Sequence, residues 1–394
     1  HFPAEDGIRD GAFGLVGSEM CIRDRVDPMA EFSAAESAFM ARALRLAACG
    51  RYKAHPNPMV GCVLVRDGQT VGEGWHEAAG EAHAEINALE AAGARARGAT
   101  AYLTLEPCSH EGKTPPCAPA LIEAGIVEVV IATEDPFPAV SGNGRAALEA
   151  AGIKVRSGLM QDAAERLNAG FLSRVQRGRP FVRLKVASSL DGAVAMKSGE
   201  SQWITGPESR ADVQRLRARS GAILTGIGTV LADDPALNVR HEELDTGGRQ
   251  PVRAVLDSRL RMPLSAGMLA MSGETIVYCT DDAAQQPLRD AGACVVRVVR
   301  EAGVLDVRQV LADLSDREIN DVLVEAGPAL SGHLLSRRLV DELVIYQAPH
   351  IMGSETRPMF GTPEWTRLAD RLSLDIVDLR RVGPDIRMTA RIMD

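Results

Sequence analysis

The chain has 394 residues and a formal net charge of -9 at pH 7, with 45% hydrophobic and 25% charged residues; this balance excludes a disordered or fibrous protein, and the length favours two domains. The acidic charge disfavours nucleic acid as a partner, and no apolar run reaches the roughly 20 residues that cross a membrane. Seven cysteines at unequal spacing do not resemble a disulfide framework, so we expect a cytoplasmic protein.

The first 28 residues show neither helical nor strand periodicity. Their apolar patch, residues 12–16, is too short for a signal peptide. We expect residues 1–28 to be a non-native or disordered leader that resembles translated adapter sequence, with the natural start at Met29.

Residues 29–172 alternate helical and strand patterns. Ser33 followed by Glu36 predicts a capping box that opens a helix, and Asp67-Gly68 predicts a hairpin turn after a strand over Val60–Val65. The later predicted elements are a strand from Val71, a helix over His83–Ala92, a strand over Ala101–Leu105, a helix after Cys117, a strand over Val127–Ala132 and a helix over Gly144–Ala151. This alternation predicts a three-layer α/β/α domain, with the sheet between helices.

A second alternation begins after a polar, breaker-rich segment. We place a linker at 173–179, before Pro180, between a first domain over 29–172 and a second over 180–394. The strands predicted in the second domain are Phe181–Ala187, Ala222–Thr225, Val252–Leu256, Thr275–Cys279, Cys294–Val299, Asp321–Glu325 and Glu342–Ala348, and its helices are Pro207–Ala218 and Ala329–Arg337. It is predicted to be another α/β domain.

The strongest chemical pattern joins His83, Glu85, Cys108 and Cys117. One imidazole and two thiolates supply three ligands and leave the fourth tetrahedral position of a zinc ion for water, as a catalytic zinc site requires. Zinc lowers the pKa of that water to about 7. Glu85 can then carry protons from the water to the ring nitrogen and the departing amine of a pyrimidine. The pattern predicts hydrolytic deamination with Glu85 as general acid and base.

The spacing of these residues also predicts where the metal lies. Side chains at i and i+2 of an ideal helix point about 200° apart, so His83 and Glu85 can converge only at the N-terminal end of their helix. Cys117 likewise begins a predicted helix, whose dipole favours the thiolate.

Other interpretations of these residues stay open from the pattern alone. Cys108 and Cys117 could hold a structural zinc or be ordinary buried thiols, and His76 or His110 could compete as metal ligands. Asn57, between two prolines, is also typical of a simple turn. For the whole chain, the alternatives are a monofunctional nucleobase or nucleoside deaminase with a non-reducing second domain, a structural-zinc interaction module, and a nucleic-acid binder.

Three segments resemble the deaminases of riboflavin biosynthesis: His55–Gly61, Gly80–Glu85 and Glu106–His110. Eight residues separate Cys108 from Cys117, whereas zinc deaminases usually have two between their cysteines; the riboflavin-pathway deaminases share this enlarged loop. The resemblance implies a cytidine-deaminase-like first domain in which Asn57 helps hold the pyrimidine.

Two segments of the second domain, Leu184–Gly192 and Gly199–Thr205, resemble the riboflavin-pathway reductases, whose fold is similar to dihydrofolate reductase. The resemblance runs from about Met29 to near the C-terminus. It implies hydrolytic deamination of 2,5-diamino-6-(5-phosphoribosylamino)pyrimidin-4-one, then NADPH-dependent reduction of the ribosyl group to ribityl, which yields 5-amino-6-(5-phosphoribitylamino)uracil. Both steps would reside in one chain, with one zinc ion and NADPH as cofactors.

The same resemblance implies the residues of the reductase site. Its substrate contacts would be Lys185, Ser201, Trp203, Arg217, Leu237, Arg240 and Glu325. Its NADPH contacts would be Ala187, Thr229, Asp233, Ser258, Gly327, Pro328, Ala329, Leu330, Ser331 and Gly332. The arginines suit a substrate phosphate because guanidinium binds it through two parallel hydrogen bonds.

The turn over Glu325–Gly332 follows a buried strand and opens a helix, which exposes backbone N–H groups to a phosphate, although an ordinary strand-to-helix turn has the same residue types. The expected partner is a small phosphoribosylated pyrimidine, with no nucleic acid and no membrane. Because the family's reductase domains associate, we also expect a homodimer or larger homo-oligomer.

Overall fold

The computed structural model describes residues 32–109, 115–137, 141–280, 285–301, 304–363 and 365–393. The leader expected over 1–28 and His110 lie outside these residues. Their strands form a five-stranded sheet and a nine-stranded sheet, with two small two-stranded ribbons. Among the described residues, no helix combines the length and the apolar composition that crossing a bilayer requires.

The five-stranded sheet and its helices occupy the first part of the chain. The elements are α1 Ala34–Ala47, β1 Gly61–Arg66, β2 Gln69–Trp75, α2 Ala84–Ala92, β3 Thr100–Leu103, α3 Cys117–Glu123, β4 Glu128–Ile131, α4 Asn143–Ala150, β5 Lys154–Ser157, α5 Gln161–Leu167 and α6 Ala169–Arg177. The strand order is β2-β1-β3-β4-β5, antiparallel from β2 to β3 and parallel from β3 to β5.

Local chemistry explains the first elements. The Ser33 side chain accepts a hydrogen bond from Glu36 N while the Glu36 carboxylate accepts one from Ser33 N, so the predicted capping box is confirmed. Asp67 and Gly68 both have positive φ, as the type I′ turn of the predicted hairpin requires.

Helices cover both faces of this sheet. Alternate side chains of β1 point to opposite faces, so that Cys62 packs with α2, α3 and α4 while Val63 packs with α1 and α5. Two separate cores result, one on each side of the strands. The predicted three-layer α/β/α arrangement is confirmed.

The nine-stranded sheet occupies the second part. Its region contains β6 Phe181–Ser188, β7 Ala193–Met196, α7 Pro207–Arg219, β8 Ala222–Gly226, α8 Ile227–Asp233, β9 Val252–Leu256, β10 Thr275–Cys279, α9 Gln285–Asp290, β11 Cys294–Arg297, β12 Arg300–Glu301, β13 Val304–Leu305, α10 Val307–Asp316, β14 Asp321–Glu325, α11 Pro328–Ser336, β15 Glu342–Gln347, β16 Thr356–Pro358, β17 Leu374–Val382 and β18 Asp385–Ile392.

This sheet has the order β11-β10-β9-β8-β14-β6-β15-β18-β17. The seven strands from β11 to β15 run parallel, and β18 and β17 are antiparallel additions at one edge. An apolar core lies on each face. Because the parallel strands end at the same edge, the residues just after them can form one site.

The expected linker needs correction. Helix α6 continues through Arg177, so most of 173–179 is helical, and the chain leaves the helix only at Gly178, whose φ is +64°. The polar residues suggested a loop, but Phe171 and Ser173 of α6 are buried, and Arg174 is partly buried with its Nε bonded to Asn320 Oδ1. Only Gly178 to Pro180 connect α6 with β6.

Direct contacts join the two parts of the molecule. The Asn320 side chain donates to Pro56 O at 2.8 Å, and Arg249 donates to Tyr52 O at 3.3 Å through Nη2. Lys53 forms an ion pair with Asp245. The segment from Tyr52 to Pro56 therefore contacts residues of the second domain that lie just before β9 and β14.

Candidate active sites

Three side chains of the first domain form a metal-binding group. His83 is the N-cap of α2, Cys117 is the first residue of α3, and Cys108 lies in the loop after β3. The His83 Nδ1 atom lies 3.3 Å from Cys117 Sγ and 3.6 Å from Cys108 Sγ, and the three ligand atoms all lie within 4.8 Å of one another. The predicted ligands therefore converge at two helix N-termini.

Close packing of α2 on β2 holds this arrangement. A Cβ atom at Gly74 would lie 2.5 Å from Ala88 N, so only glycine lets the helix approach so closely. This close packing brings the first turn of α2, which carries Glu85 next to His83, near the loop after β3 that carries Cys108.

The donor set fits zinc. One imidazole nitrogen and two sulfurs are typical zinc ligands, and three protein ligands leave one tetrahedral position for a reactant. Hydrogen bonding from Cys117, with a smaller contribution from His83, holds the pKa of Cys108 well below that of a free thiol. The thiolate, which is the form that binds metal, is therefore favoured at Cys108 at neutral pH.

Glu85 lies beside the metal-binding group in the first turn of α2. The residue is only 3% exposed, and its carboxyl group interacts with the Cys117 side chain. Burial raises the pKa of Glu85 to about 7. A carboxyl group with this pKa can both accept and release a proton at neutral pH, which suits a general acid and base.

A cavity of about 330 Å³ opens onto this group. Asn57 and His76 line it together with His83, Glu85 and Cys108.

The buried His76 ring donates from Nδ1 to Ala82 O at 3.1 Å, which leaves Nε2 to accept a hydrogen bond from Asn57 Nδ2 at 3.0 Å. His76 is thus a partner that orients Asn57, and it does not belong to the metal group.

The motif residue Glu106 has a supporting role. Its buried carboxylate accepts hydrogen bonds from the backbone N–H groups of Asp135 at 3.3 Å, Gly142 at 3.1 Å and Arg145 at 3.1 Å. These contacts tie the loop that carries Cys108 to the start of α4.

Several residues at this cavity carry no recognisable local pattern. Asn168 clamps the Asn57 loop by bonding Met59 N and Met59 O, each at 2.8 Å. Phe171 and Arg174 of α6 line the cavity, and Glu318, between α10 and β14, reaches it from the second domain. Their distance along the chain from His83 left no signal for sequence analysis to use.

The second predicted site centres on Glu325, at the end of β14. Arg217 binds its carboxylate through Nε at 2.6 Å and Nη2 at 3.0 Å, and Lys185 Nζ lies 3.9 Å from it. Lys185 and Glu325 are register partners on the parallel strands β6 and β14. Although burial opposes ionisation, Arg217 and Lys185 lower the pKa of Glu325 below its usual value, so it is a carboxylate.

Arg217 is largely committed to protein partners. Besides Glu325, its Nη1 donates to Asn238 O at 3.1 Å, next to the buried Leu237. Arg240, by contrast, is exposed, and its side chain forms no ion pair with the described residues.

Trp203 is 70% exposed, with the Arg210 guanidinium 4.8 Å from its ring centroid, so core packing does not explain it. Ser201 lies in the same loop.

The predicted NADPH contacts follow the parallel strands. Ala187 lies near the end of β6, Thr229 and Asp233 lie in α8 after β8, and Ser258 follows β9. Gly327 is the N-cap of α11, so the predicted strand-to-helix turn is confirmed. A Cβ atom placed at Gly327 or at Gly228 meets no atom within 4 Å. Both turns are therefore open at these positions, and the Gly327 turn presents the backbone N–H groups that begin α11, which is chemistry that suits the phosphates of NADPH.

The remaining turn residues are Pro328, Ala329, Leu330, Ser331 and Gly332, all in the first turns of α11. Gly332 has a packing role in addition, because a Cβ atom there would lie 2.7 Å from Thr362 N.

Family models match both parts of the chain. The model for the cytidine and deoxycytidylate deaminase zinc-binding region matches residues 33–133, and the model for the RibD C-terminal domain matches residues 180–388. These matches confirm a cytidine-deaminase-like first domain and a dihydrofolate-reductase-like second domain. A monofunctional deaminase is not favoured, because a reductase-family domain follows the deaminase region.

Relatives cover nearly the whole chain. The riboflavin biosynthesis protein RibD of Escherichia coli (strain K12) is 49% identical over 358 residues, which is 88% of this chain and 97% of that protein. The RibD of Haemophilus influenzae is 46% identical over 370 residues, 92% of this chain and 98% of that protein.

Solved structures agree. Acinetobacter baumannii RibD, form 1, has a TM-score of 0.85 and 45% identity, covering 91% of this chain and 99% of that chain. A diaminohydroxyphosphoribosylaminopyrimidine deaminase/5-amino-6-(5-phosphoribosylamino)uracil reductase from Thermotoga maritima has a TM-score of 0.81 and 34% identity, with the same coverage. The zinc-binding deaminase region, the reductase domain and these relatives together show that the chain belongs to the RibD family of bifunctional riboflavin biosynthesis enzymes.

Proposed function

We propose that the first domain deaminates 2,5-diamino-6-(5-phosphoribosylamino)pyrimidin-4-one at the His83, Cys108 and Cys117 group, and that the second domain reduces the product with NADPH around Glu325. The observation that carries the deaminase assignment is the buried Glu85 beside three converging zinc ligands at one cavity. The final product is 5-amino-6-(5-phosphoribitylamino)uracil.

In the deamination, Glu85 handles the protons. Zinc, when bound by the three ligands, supplies hydroxide at neutral pH because it lowers the pKa of water. The Glu85 carboxylate accepts the proton that the water loses, delivers it to the ring nitrogen and then helps protonate the departing amine. The C–N bond breaks, ammonia leaves, and the water oxygen becomes the new carbonyl oxygen. Asn57, oriented by His76, holds the pyrimidine edge.

In the reduction, NADPH held by the turn at Gly327 and by the residues after β6, β8 and β9 would supply the hydride for C1 of the ribosyl group, whose bond to the ring oxygen must break. A proton must reach that oxygen as the ring opens. Lys185 can donate it, since its ammonium group lies 3.9 Å from the Glu325 carboxylate at the site. Arg217 orients Glu325, and the exposed Arg240 binds the substrate phosphate in this proposal.

Metal analysis and a coupled assay test this assignment. The purified chain is expected to contain about one zinc per molecule, and to oxidise NADPH both with the diamino substrate and with its deaminated product. Ammonia release without NADPH oxidation would instead support the monofunctional deaminase, and NADPH oxidation with the deaminated compound alone would remove the deaminase assignment.

The division into domains over 29–172 and 180–394 belongs to the same proposal. Two separate sheets and the spans of the two family models support it. A cytoplasmic location is also proposed, and the described part of the chain contains no disulfide.

A homo-oligomer, dimeric or larger, is the remaining part of the proposal. Strand β17 is the last strand of its sheet, and Ile376, Val377 and Leu379 on it are 52%, 45% and 61% exposed. An edge strand that exposes large apolar side chains is typical of an interface. Light scattering is expected to give at least twice the chain mass, and the double change Ile376→Asp with Leu379→Asp is expected to lower it.

A further inference from the structure

We propose that Arg174 binds the 5-phosphate of the deaminase substrate. The inference rests on the proposed function, because it assumes that a phosphoribosylated pyrimidine occupies the cavity beside Glu85. It assigns a phosphate-binding residue to the first reaction, whereas Arg240, the arginine proposed above to bind the substrate phosphate, belongs to the second site.

The cavity requires a cation for such a substrate. A phosphate monoester carries between one and two negative charges at neutral pH, and removing it from water without a partner is costly. Among the described residues that line the cavity, Arg174 is the one lysine or arginine. Both ring nitrogens of His76 are engaged, by Ala82 O and by Asn57 Nδ2, and His83 belongs to the metal group, so neither histidine has a nitrogen free for the phosphate.

Two contacts hold the Arg174 side chain in place. Its Nε donates to Asn320 Oδ1 at 2.6 Å, and the guanidinium carbon lies 5.8 Å from the centre of the Phe171 ring. Both contacts fix the side chain without requiring its Nη1 and Nη2 groups. A guanidinium held in this way can offer its terminal N–H groups to phosphate oxygens.

Arg174 lies on the side of the cavity that α6 and the second domain form. It lines the cavity together with Phe171 of α6 and Glu318, whereas the metal group lines it from α2 and from the loop after β3. In this proposal the pyrimidine ring lies at Asn57 and Glu85, and the phosphate lies at Arg174.

Glu318 also lines the cavity and is exposed. Burial lowers the pKa of Arg174, and the negative charge of Glu318 opposes this effect, which favours the charged guanidinium in the cavity.

Deamination kinetics of the full-length protein with two substrates test the proposal. One substrate is the phosphorylated diaminopyrimidine and the other is the same compound without its phosphate. Arg174→Gln is expected to raise KM for the phosphorylated compound about 10- to 100-fold, as loss of a charge-assisted hydrogen bond predicts. The unphosphorylated compound should react equally with both proteins, and Arg174→Lys should recover part of the preference.

Controls separate phosphate binding from folding and from net charge. Arg166→Gln removes the same charge from α5 outside this cavity, and it should leave both KM values unchanged. Reduction of the deaminated intermediate should be unaffected in all variants, which shows that each one folds.

Two outcomes overturn the inference. Equal KM values of the unchanged protein for the two compounds, or an unchanged preference in Arg174→Gln, would exclude phosphate binding by Arg174 while leaving the deaminase assignment intact. If the unchanged protein deaminates neither compound, the proposed function itself fails.

Discussion

His55 of the first domain packs against Gly221 of the second, so closely that a Cβ atom at Gly221 would lie 2.8 Å from His55 Cε1 and 3.0 Å from Nε2. Gly221 is buried just before β8 and donates its N–H to Asp321 O at 2.9 Å. The loop that carries Asn57 therefore begins in contact with the residues that precede β8 and β14 of the second domain.

This contact predicts that Gly221→Ala destabilises the protein by about 1–3 kcal/mol, because the added methyl group must displace a packed ring. Denaturant unfolding checks the value. Gly228→Ala is the matched control, since a Cβ there meets no atom within 4 Å, and it should leave the free energy of unfolding unchanged or slightly higher. Equal stability of the two variants would contradict the close packing at Gly221.

The burial of His55 predicts that the free energy of unfolding decreases at acidic pH. Burial, and then the positive charges of Arg249 and Arg174, lower the pKa of His55 to about 3. The unfolded chain, with a histidine pKa near 6.5, binds this proton more readily than the folded chain between about pH 6.5 and 3. Protonation of His55 therefore lowers the free energy of unfolding as pH falls through this window.

In His55→Gln that contribution should disappear. The difference in unfolding free energy between the two proteins should depend on pH below about 6.5 and be constant above it. A difference that stays constant from pH 7 to pH 4 would show that His55 titrates normally.

Glu85→Gln should abolish deamination selectively. Loss of the carboxylate removes the proton carrier, so the deamination rate is expected to fall about 10²- to 10⁴-fold. Zinc content and NADPH-dependent reduction of the deaminated intermediate should be retained. A retained deamination rate would contradict the general acid and base role.

Cys117→Ser should reduce the zinc bound per chain and remove deamination, because it replaces one of the three ligands with a poorer one. Elemental analysis and ammonia release measure the two effects. Cys49→Ser is the control, since Cys49 is exposed and lies outside the metal-binding group. Full zinc content in the Cys117 variant would exclude this sulfur as a ligand.

Arg240→Ala should raise KM for the phosphorylated intermediate in the reductase assay by about tenfold or more, with little change in KM for NADPH. Arg215→Ala is the matched control, because Arg215 is also exposed and pairs with Asp212 on its own helix. Similar KM changes in both variants would point to net charge and would count against a phosphate contact at Arg240.

Much of the first site could be predicted because its functional residues lie in short sequence motifs. His83, Cys108 and Cys117 supply the nitrogen and sulfur atoms that a zinc ion requires to converge, and these atoms do lie within 4.8 Å of one another. The spacing of His83 and Glu85 predicted the metal at a helix N-terminus, and the N-cap position of His83 agrees. The capping box at Ser33 and the hairpin at Asp67 follow from equally local rules.

The remaining residues depend on contacts between distant segments. Asn168 bonds Met59 across 109 positions, and Asn320 bonds Pro56 across 264, so no window of sequence contains both partners. Helix α6 was misjudged because its polar residues resemble a linker, and only the fold shows that Phe171 is buried. Strands β17 and β18 were not predicted, since charged residues interrupt their apolar pattern.

The hydrogen bond from Arg174 to Asn320 makes the first cavity depend on a residue of the second domain. A gene split just before β6 would yield a fragment with every zinc ligand and with Arg174 itself, but without Asn320, which braces that guanidinium, or Glu318. The isolated first domain would therefore lack part of the lining of its own cavity and the residue that holds Arg174 in place.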